Sequence, residues 1–310
     1  MRADAESIAE AAAILARGGL VAMPTETVYG LAADATNPKA VARLYAAKGR
    51  PHFNPLIAHV RDAHAARACG DFSAAADALA AAFWPGPLTL VVPRRGDGVV
   101  CDLACAGLDT IALRAPDHAV AQDLLAALGK PIVAPSANLS GRVSATRAEH
   151  VAADFADAVD LILDAGPSAH GLESTIIGCT GAAPALLRPG AIPRAAIEAI
   201  VGALAAAGAG VSAPGQLASH YAPRARLRLD ADAPRAGEAY LGFGAFAAPG
   251  APNLSARGDA AEAAANLYAM LRALDAEGPA AIAVAPIPAE GLGEAIRDRL
   301  TRASAPRDAS

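Results

Sequence analysis

The sequence predicts an α/β protein of two domains, and three observations carry that prediction. Short apolar runs rich in branched side chains alternate with helical patterns. At 310 residues the chain is long enough for two cores. A small, flexible, low-charge segment near residue 205, AAAGAGVSAPGQ, separates a long first part from a short second one. The expected division is a first domain over 1–205, a linker over 206–224 and a small α/β domain over 225–310.

A helix over 6–17 closes at Gly18-Gly19, and a strand over 20–23 follows, ended by Pro24. Thr25, Glu26 and Thr27 then stand at the carboxyl end of that strand, where open α/β sheets bind ligands. Asn37-Pro38 reads as an N-cap with proline at the first helical position, and Val41, Leu44 and Tyr45 recur at helical spacing until Gly49. Further strands are predicted over 56–60, 88–92, 110–113, 131–134, 161–163, 174–177 and 185–187. Helices run from a Ser73 cap to 83, over 117–128 and over 145–155. Past the linker, strands over 226–229, 240–243 and 281–285 and helices over 260–274 and 292–302 make up the small domain. Trp84, in WPGPLTLVVP, reads as a core anchor.

Composition narrows the function classes. Hydrophobic residues reach 54% with aromatics at only 4%, so the surplus is alanine, a helix former that packs at no side-chain entropy cost. The most apolar stretch, 200–211, is short and broken by glycines, well below the roughly 20 apolar residues of a bilayer span. A net charge of −5 argues against a protein whose main work is gripping a nucleic-acid backbone. The acidic start MRADAESIAE and the absence of a membrane span lead to an expected cytoplasmic location. Cys69, Cys101, Cys105 and Cys179 lack CxxC spacing and are expected to be reduced thiols, and the seven histidines form no HxxxH or HExxH pair.

Five constellations carry chemistry. Lys48 and Arg50 leave a helix at its carboxyl end, where cations either complement the macrodipole or hold an anion. Only three of the 26 basic residues are lysine, Lys39, Lys48 and Lys130, and an ammonium kept beside KGRP is the point charge that phosphate sites use. NPLIAHV offers Asn54 before a strand and His59 near its end, the histidine being either structural or functional. Thr110 and Arg114 share one strand face in TIALRAP; the arginine is either exposed at an edge or buried, and if buried it must find an anion. PIVAPSANLSGRVSATR packs Ser136, Asn138, Ser140 and Ser144 directly after a strand, with Ser144 also able to act as an ordinary cap. GLESTIIGCTGAAPALLRPG sets Ser174 and Thr175 at the start of one strand and Arg188 at the end of the next. No serine sits in a G-x-S-x-G elbow, so the constellations suit binding rather than a nucleophilic triad.

Taken together, PTETVYGL, KGRP…NPL, WPGPLTLV, RAP, APSANLSG, EST and LLRPG stand in the order found in YrdC-type threonylcarbamoyl-AMP synthases, and the chain resembles that family over most of residues 15–200. PGQLASHYAP resembles the segment that tethers the second domain in the long, two-domain form, and GLGEAIRDRLTRAS its C-terminal helix. The resemblance implies a YrdC-like domain with a twisted, mixed, α+β-like sheet and a smaller Rossmann-like α/β domain. It implies a nucleotidyltransferase in which ATP, L-threonine and bicarbonate (or CO2) give threonylcarbamoyl-AMP and pyrophosphate, for N6-threonylcarbamoyladenosine at position 37 of ANN-decoding tRNAs. A threonylcarbamoyl transferase would act downstream, with direct tRNA contact weak and no membrane involved.

By the same resemblance, Thr27, His59, Arg114, Ala134 (through its backbone) and Ser174 would hold threonine, with Arg114 on its carboxylate. Lys48, Arg50, Asn54, Thr110, Ser136, Ser144, Arg188 and Tyr221 would meet ATP, and Lys48, Arg50 and Arg188 would neutralise the departing pyrophosphate. Mg²⁺ would ride on the triphosphate, with no protein ligand. The linker reads QLASHYAP where the family more often has a basic and an aromatic residue before the histidine, so His220 and Tyr221 both remain candidates to face the nucleotide. Glycines ahead of that aromatic pair suggest a lid.

Two other readings compete. A carbamoyl-transfer enzyme of hydrogenase maturation uses a similar domain but adds an acylphosphatase module and CxxC zinc fingers, which this sequence lacks. A double-stranded RNA or tRNA-binding module would need a basic face, against which the acidic balance argues.

Overall fold

A computed structural model describes residues 1–155, 158–206, 208 and 213–306. Residues 207 and 209–212 of the predicted linker, and 307–310 of the predicted second domain, lie outside the described residues. The first domain runs α1 (Ala5–Ala16), β1 (Val21–Met23), β2 (Gly30–Asp34), α2 (Pro38–Lys48), β3 (Ile57–His59), α3 (Ala63–Arg67), α4 (Ala74–Phe83) and β4 (Leu88–Pro93). It continues through β5 (Thr110–Arg114), α5 (Ala119–Leu128), β6 (Ile132–Val133), α6 (Ala148–Phe155), β7 (Leu161–Ile162), β8 (Thr175–Gly178), β9 (Ala185–Arg188) and α7 (Arg194–Val201). The second comprises β10 (Arg226–Arg228), β11 (Glu238–Leu241), α8 (Ala260–Ala276), β12 (Ala281–Val284) and α9 (Leu292–Ser304).

Local chemistry places the helices. Asn37 Oδ1 accepts from the Lys39 and Ala40 amides, and Gly49 ends α2 in the left-handed region at φ 59°. Ser73 caps α4 through the Ala76 amide. The sequence reading had no strand at β2 and no helix at α3 or α7. GLAAD alternates too little in polarity to announce a strand, yet it pairs with both β1 and β6.

The nine strands form one mixed sheet in the order β7-β1-β2-β6-β3-β5-β4-β8-β9. Side chains alternate between its faces. One face carries Leu56, Ala58, Leu90, Val92, Leu113 and Ile177 against α2, α4 and α7, where Val41, Leu44, Leu79 and Ile197 complete the main core. Trp84 is packed against this core, its indole N–H donating to Leu88 O at 2.7 Å. On the other face α1 and α5 cover only the β1, β2, β6 half. The remaining half carries Ile57, Val91, Ala112 and Ile176, and Ala213 of the linker packs onto them. The cleft therefore lies under the linker beside this half of the sheet, at the ends of β3, β5 and β9, with Thr27 shortly beyond the end of β1.

The second domain is a parallel three-stranded sheet, β10-β12-β11, whose apolar residues join those of α8 and α9 in a separate core. Val28, Val143 and Leu172 of the first domain belong to that core, so the two domains share buried apolar surface. Among the described residues no helix is long and apolar enough to cross a membrane. All four cysteines are free.

Candidate active site

Thr27, His59, Arg114, Ala134 and Ser174 line one cleft together with Arg50, Ser136, Arg188 and Tyr221. These nine, all singled out from sequence, thus converge although they come from widely separated stretches of chain. Four others do not reach the lining. Lys48 lies just behind it, its ammonium donating to Ser136 O at 2.6 Å and Asn138 O at 2.5 Å. Asn54 is fully buried, and its carbonyl accepts from Arg50 Nε at 3.1 Å. Ser144 does not cap α6; its hydroxyl donates to Glu173 at 2.5 Å. Thr110 shares Arg114's strand face but stands about 13 Å farther along β5 at the usual rise per residue, beside Pro93 of β4.

At one end of the cleft, β3 and β5 run parallel with His59 opposite Arg114. Arg114, 4% exposed, is the buried alternative of the sequence reading, and its anion is Glu26: Nη2 donates to Glu26 Oε1 at 2.5 Å and Nη1 to Thr27 Oγ1 at 2.9 Å. Burial works to raise the Glu26 carboxyl, but the Arg114 charge and hydrogen bond, together with backbone hydrogen bonds, outweigh it and hold the group below its ordinary range. Burial pushes the His59 imidazole down to about 3, helped by the Arg114 charge, so this ring is neutral at physiological pH. Its Nδ1 has no partner among the described residues.

At the other end, Arg188 bridges the start of β8 and the linker. Its Nη2 donates to Ser174 O at 2.8 Å and Ser174 Oγ at 3.2 Å, and its Nη1 to Pro214 O at 3.5 Å. Ser174 Oγ also shares a proton with Thr89 Oγ1 at 2.7 Å. Gly215 adopts φ +82°, and a Cβ there would stand 2.5 Å from the Tyr221 hydroxyl and 2.8 Å from Arg188 Cδ, so only glycine lets linker and arginine meet. Arg50 donates to Asn54 O and Pro55 O, and burial lowers it to about 10 with the Arg188 charge adding to the effect. Burial, then the Arg50 charge, lowers Lys48 well below an ordinary lysine.

His220 and Tyr221 both line the cleft. Burial sends the His220 imidazole down to about 3, and neither its Nδ1 nor the Tyr221 hydroxyl has a partner among the described residues. With His59 Nδ1, these orphaned atoms belong to residues that line one cavity. Buried polar groups are ordinarily satisfied, so their concentration here marks a surface built for a polar ligand.

Thr89 and Glu173 have no role in the sequence reading. Thr89 had a legible signal, a lone hydroxyl in the apolar run LTLVV. Glu173 had one too, a carboxylate directly before the run Ser174-Thr175-Ile176-Ile177.

Residues 13–190 match the family model described as Telomere recombination (Sua5_yciO_yrdC), and 192–305 match the one described as Threonylcarbamoyl-AMP synthase, C-terminal domain. The chain is 39% identical to the threonylcarbamoyl-AMP synthase of Bacillus subtilis, over 97% of this chain and 93% of that one. It is 39% identical to that of Pyrococcus abyssi over 95% and 93%. The crystal structure of P. abyssi Sua5 complexed with L-threonine superposes with a TM-score of 0.90 at 38% identity, covering 98% of this chain and 96% of that one. Full-length HypF shares the fold alone, at 20% identity and a TM-score of 0.53 over 29% of its length. A cleft of converging arginines and hydroxyls under a linker, matched in both domains, makes the chain a member of the two-domain threonylcarbamoyl-AMP synthase family.

Proposed function

We propose that the protein converts ATP, L-threonine and bicarbonate (or CO2) into threonylcarbamoyl-AMP and pyrophosphate. The observation that carries this is the division of a single cleft: Arg114, Thr27 and His59 gather at one end, Arg50 and Arg188 at the other, with Ser174, expected to hold threonine, bonded to Arg188 between the two groups of substrate ligands. Arg114 suits an amino-acid carboxylate, since a guanidinium matches it geometrically and keeps N–H donors beyond those spent on Glu26, Thr27 and Gly86. The Thr27 hydroxyl stands within the same group.

Threonine's amine attacks CO2, forming the C–N bond and losing a proton to give a carbamate. A carbamate oxygen then attacks the α-phosphorus of ATP, the bond to the β-phosphate oxygen breaks, and pyrophosphate leaves. A neutral His59 is able to accept a hydrogen bond from the amine through its unpartnered Nδ1, while its burial disfavours taking up the proton, which leaves to solvent. Holding the reactants together supplies up to about 7–11 kcal/mol of the barrier in favourable intramolecular cases. Lys48, Arg50 and Arg188 supply positive charge as pyrophosphate departs. The donor set suits a Mg²⁺ that arrives on the triphosphate. Glu26 and Glu173 are each paired with an arginine, and no group of three or more acidic, histidine or cysteine side chains is placed to hold a metal among the described residues.

The labile mixed anhydride must pass to a transferase that modifies adenosine 37 of ANN-decoding tRNAs, and these substrates place the proposed reaction in the cytoplasm. The test is pyrophosphate release measured with each substrate omitted in turn. Release that needs both threonine and bicarbonate supports the synthase; release indifferent to threonine refutes it.

A further inference from the structure

Four side chains from distant parts of the chain meet behind the nucleotide end of the cleft. Glu173, of the first domain, lines the cavity. Arg299 of α9 donates through Nε to its Oε2 at 2.8 Å, and the Tyr268 hydroxyl of α8 donates to the same oxygen at 3.0 Å. Ser144 holds the other carboxylate oxygen. Arg299 is 1% exposed and also donates to Pro189 O at 2.9 Å and Asp298 at 2.6 Å. Its guanidinium lies 5.0 Å from the centre of the Tyr221 ring, which in turn stacks on Tyr268 at 6.0 Å and 23°. The domains are seated on each other beside this group by backbone contact: Gly171, at φ +66°, leaves room for α8, where a Cβ would stand 2.5 Å from Ala264 O.

A carboxylate on the wall of a phosphate site opposes anion binding. It also competes for the cations that should receive the phosphates: after Arg299, the charge acting most on Glu173 is that of Arg188. We propose that Arg299 is a positioning residue for the nucleotide end of the cleft, through which the second domain neutralises Glu173, keeps Arg188 on Ser174 and the linker, and supports the Tyr221 ring. This rests on the synthase reading in that the anion is the triphosphate of ATP. It gives the C-terminal domain a chemical role: its last helix sets the charge balance of a cleft that it does not itself line.

Arg299→Met removes the charge while keeping much of the stem, and the assay is substrate-dependent pyrophosphate release by the full chain. KM for ATP is expected to rise about ten-fold or more, from an unopposed buried charge beside the phosphates, with KM for threonine moving less than about three-fold. Glu173→Gln added to Arg299→Met should restore most of the ATP affinity, which a merely structural role for Arg299 would not allow. A folded Arg299→Met enzyme with unchanged KM for ATP, or a double variant no better than the single, overturns the proposal. Should Arg299→Met fail to fold, Glu173→Gln alone decides. It removes the carboxylate from the cleft wall while Arg299 keeps Asp298, and is expected to tighten ATP binding in calorimetry; weaker binding with an intact circular dichroism spectrum overturns the proposal. Wild-type enzyme that releases no pyrophosphate with threonine and bicarbonate would instead count against the synthase reading.

Discussion

Replacing Arg114 by alanine is the sharpest probe of how the cleft is divided. The guanidinium is 4% exposed and makes three hydrogen bonds to protein, to Glu26, Thr27 and Gly86 O. If it also receives the threonine carboxylate, truncation removes a desolvated charge pair, worth about 2–4 kcal/mol, or roughly 30- to 1000-fold in threonine Kd. The same truncation strands the Glu26 carboxylate, which is buried and has no other cationic partner among the described residues. Stability should therefore fall too, by about 3–5 kcal/mol as for other broken buried pairs. Glu26→Gln added to Arg114→Ala separates the two effects. The double variant should recover stability, because the stranded charge is gone, yet not threonine affinity, because the carboxylate still lacks its partner. Titration calorimetry and thermal denaturation read the two quantities independently. Threonine affinity within about three-fold of wild type in a folded Arg114→Ala protein, or a loss of ATP binding instead, would refute the assignment of this end of the cleft to the amino acid.

Three more outcomes follow from the same geometry. The folded-state pKa values of His59 and His220 are depressed from 6.5 to about 3, so the unfolded chain binds more protons as pH falls below 6.5. Each should cost up to about 1.4 kcal/mol of stability per pH unit between 6.5 and 3; His59→Gln should flatten the fall in denaturation midpoint across that window, and an unchanged slope would mean the ring is not buried neutral. Gly215→Ala puts a methyl 2.5 Å from the Tyr221 hydroxyl at a positive φ, and should weaken ATP binding more than threonine binding in calorimetry. ATP at 100 times its Kd should stabilise the fold by about 2.7 kcal/mol, read as a raised denaturation midpoint, and an unchanged midpoint at that concentration would argue against a nucleotide site formed in the native state.

Local signals were the legible part of this molecule. The Asn37-Pro38 start and Gly49 end of α2, the Ser73 cap and the apolar strand 88–92 could be read because neighbouring residues decide them. Most cleft residues were legible because hydroxyls and cations at strand ends have few other uses. What could not be read was set by contacts far apart in the chain. β2 is a strand because β1 and β6 flank it, not because GLAAD is strand-like. Glu173 meets Arg299 across 126 residues, and nothing near either one announces the other. Lys48 shows how a local oddity acquires its reason. Its ammonium sits between the carbonyls of Ser136 and Asn138, a gap that suits a compact charge better than a planar guanidinium.

The charges at the cleft explain why both buried ion pairs belong to its walls. Glu26 is matched by Arg114 and Glu173 by Arg299, so each carboxylate is neutralised where it stands. Lys48, Arg50 and Arg188 are 2%, 7% and 4% exposed and form no ion pair among the described residues, bonding to carbonyl oxygens and, for Arg188, the Ser174 hydroxyl. Carbonyl dipoles orient a cation without cancelling its charge, and in a site of low polarity the field that remains is strong. Were one of those cations paired with a carboxylate, the fold would gain stability and the cleft would lose its hold on phosphate. Leaving three cations unpaired lowers the stability of the free protein, and it is this unbalanced charge that a triphosphate is placed to neutralise.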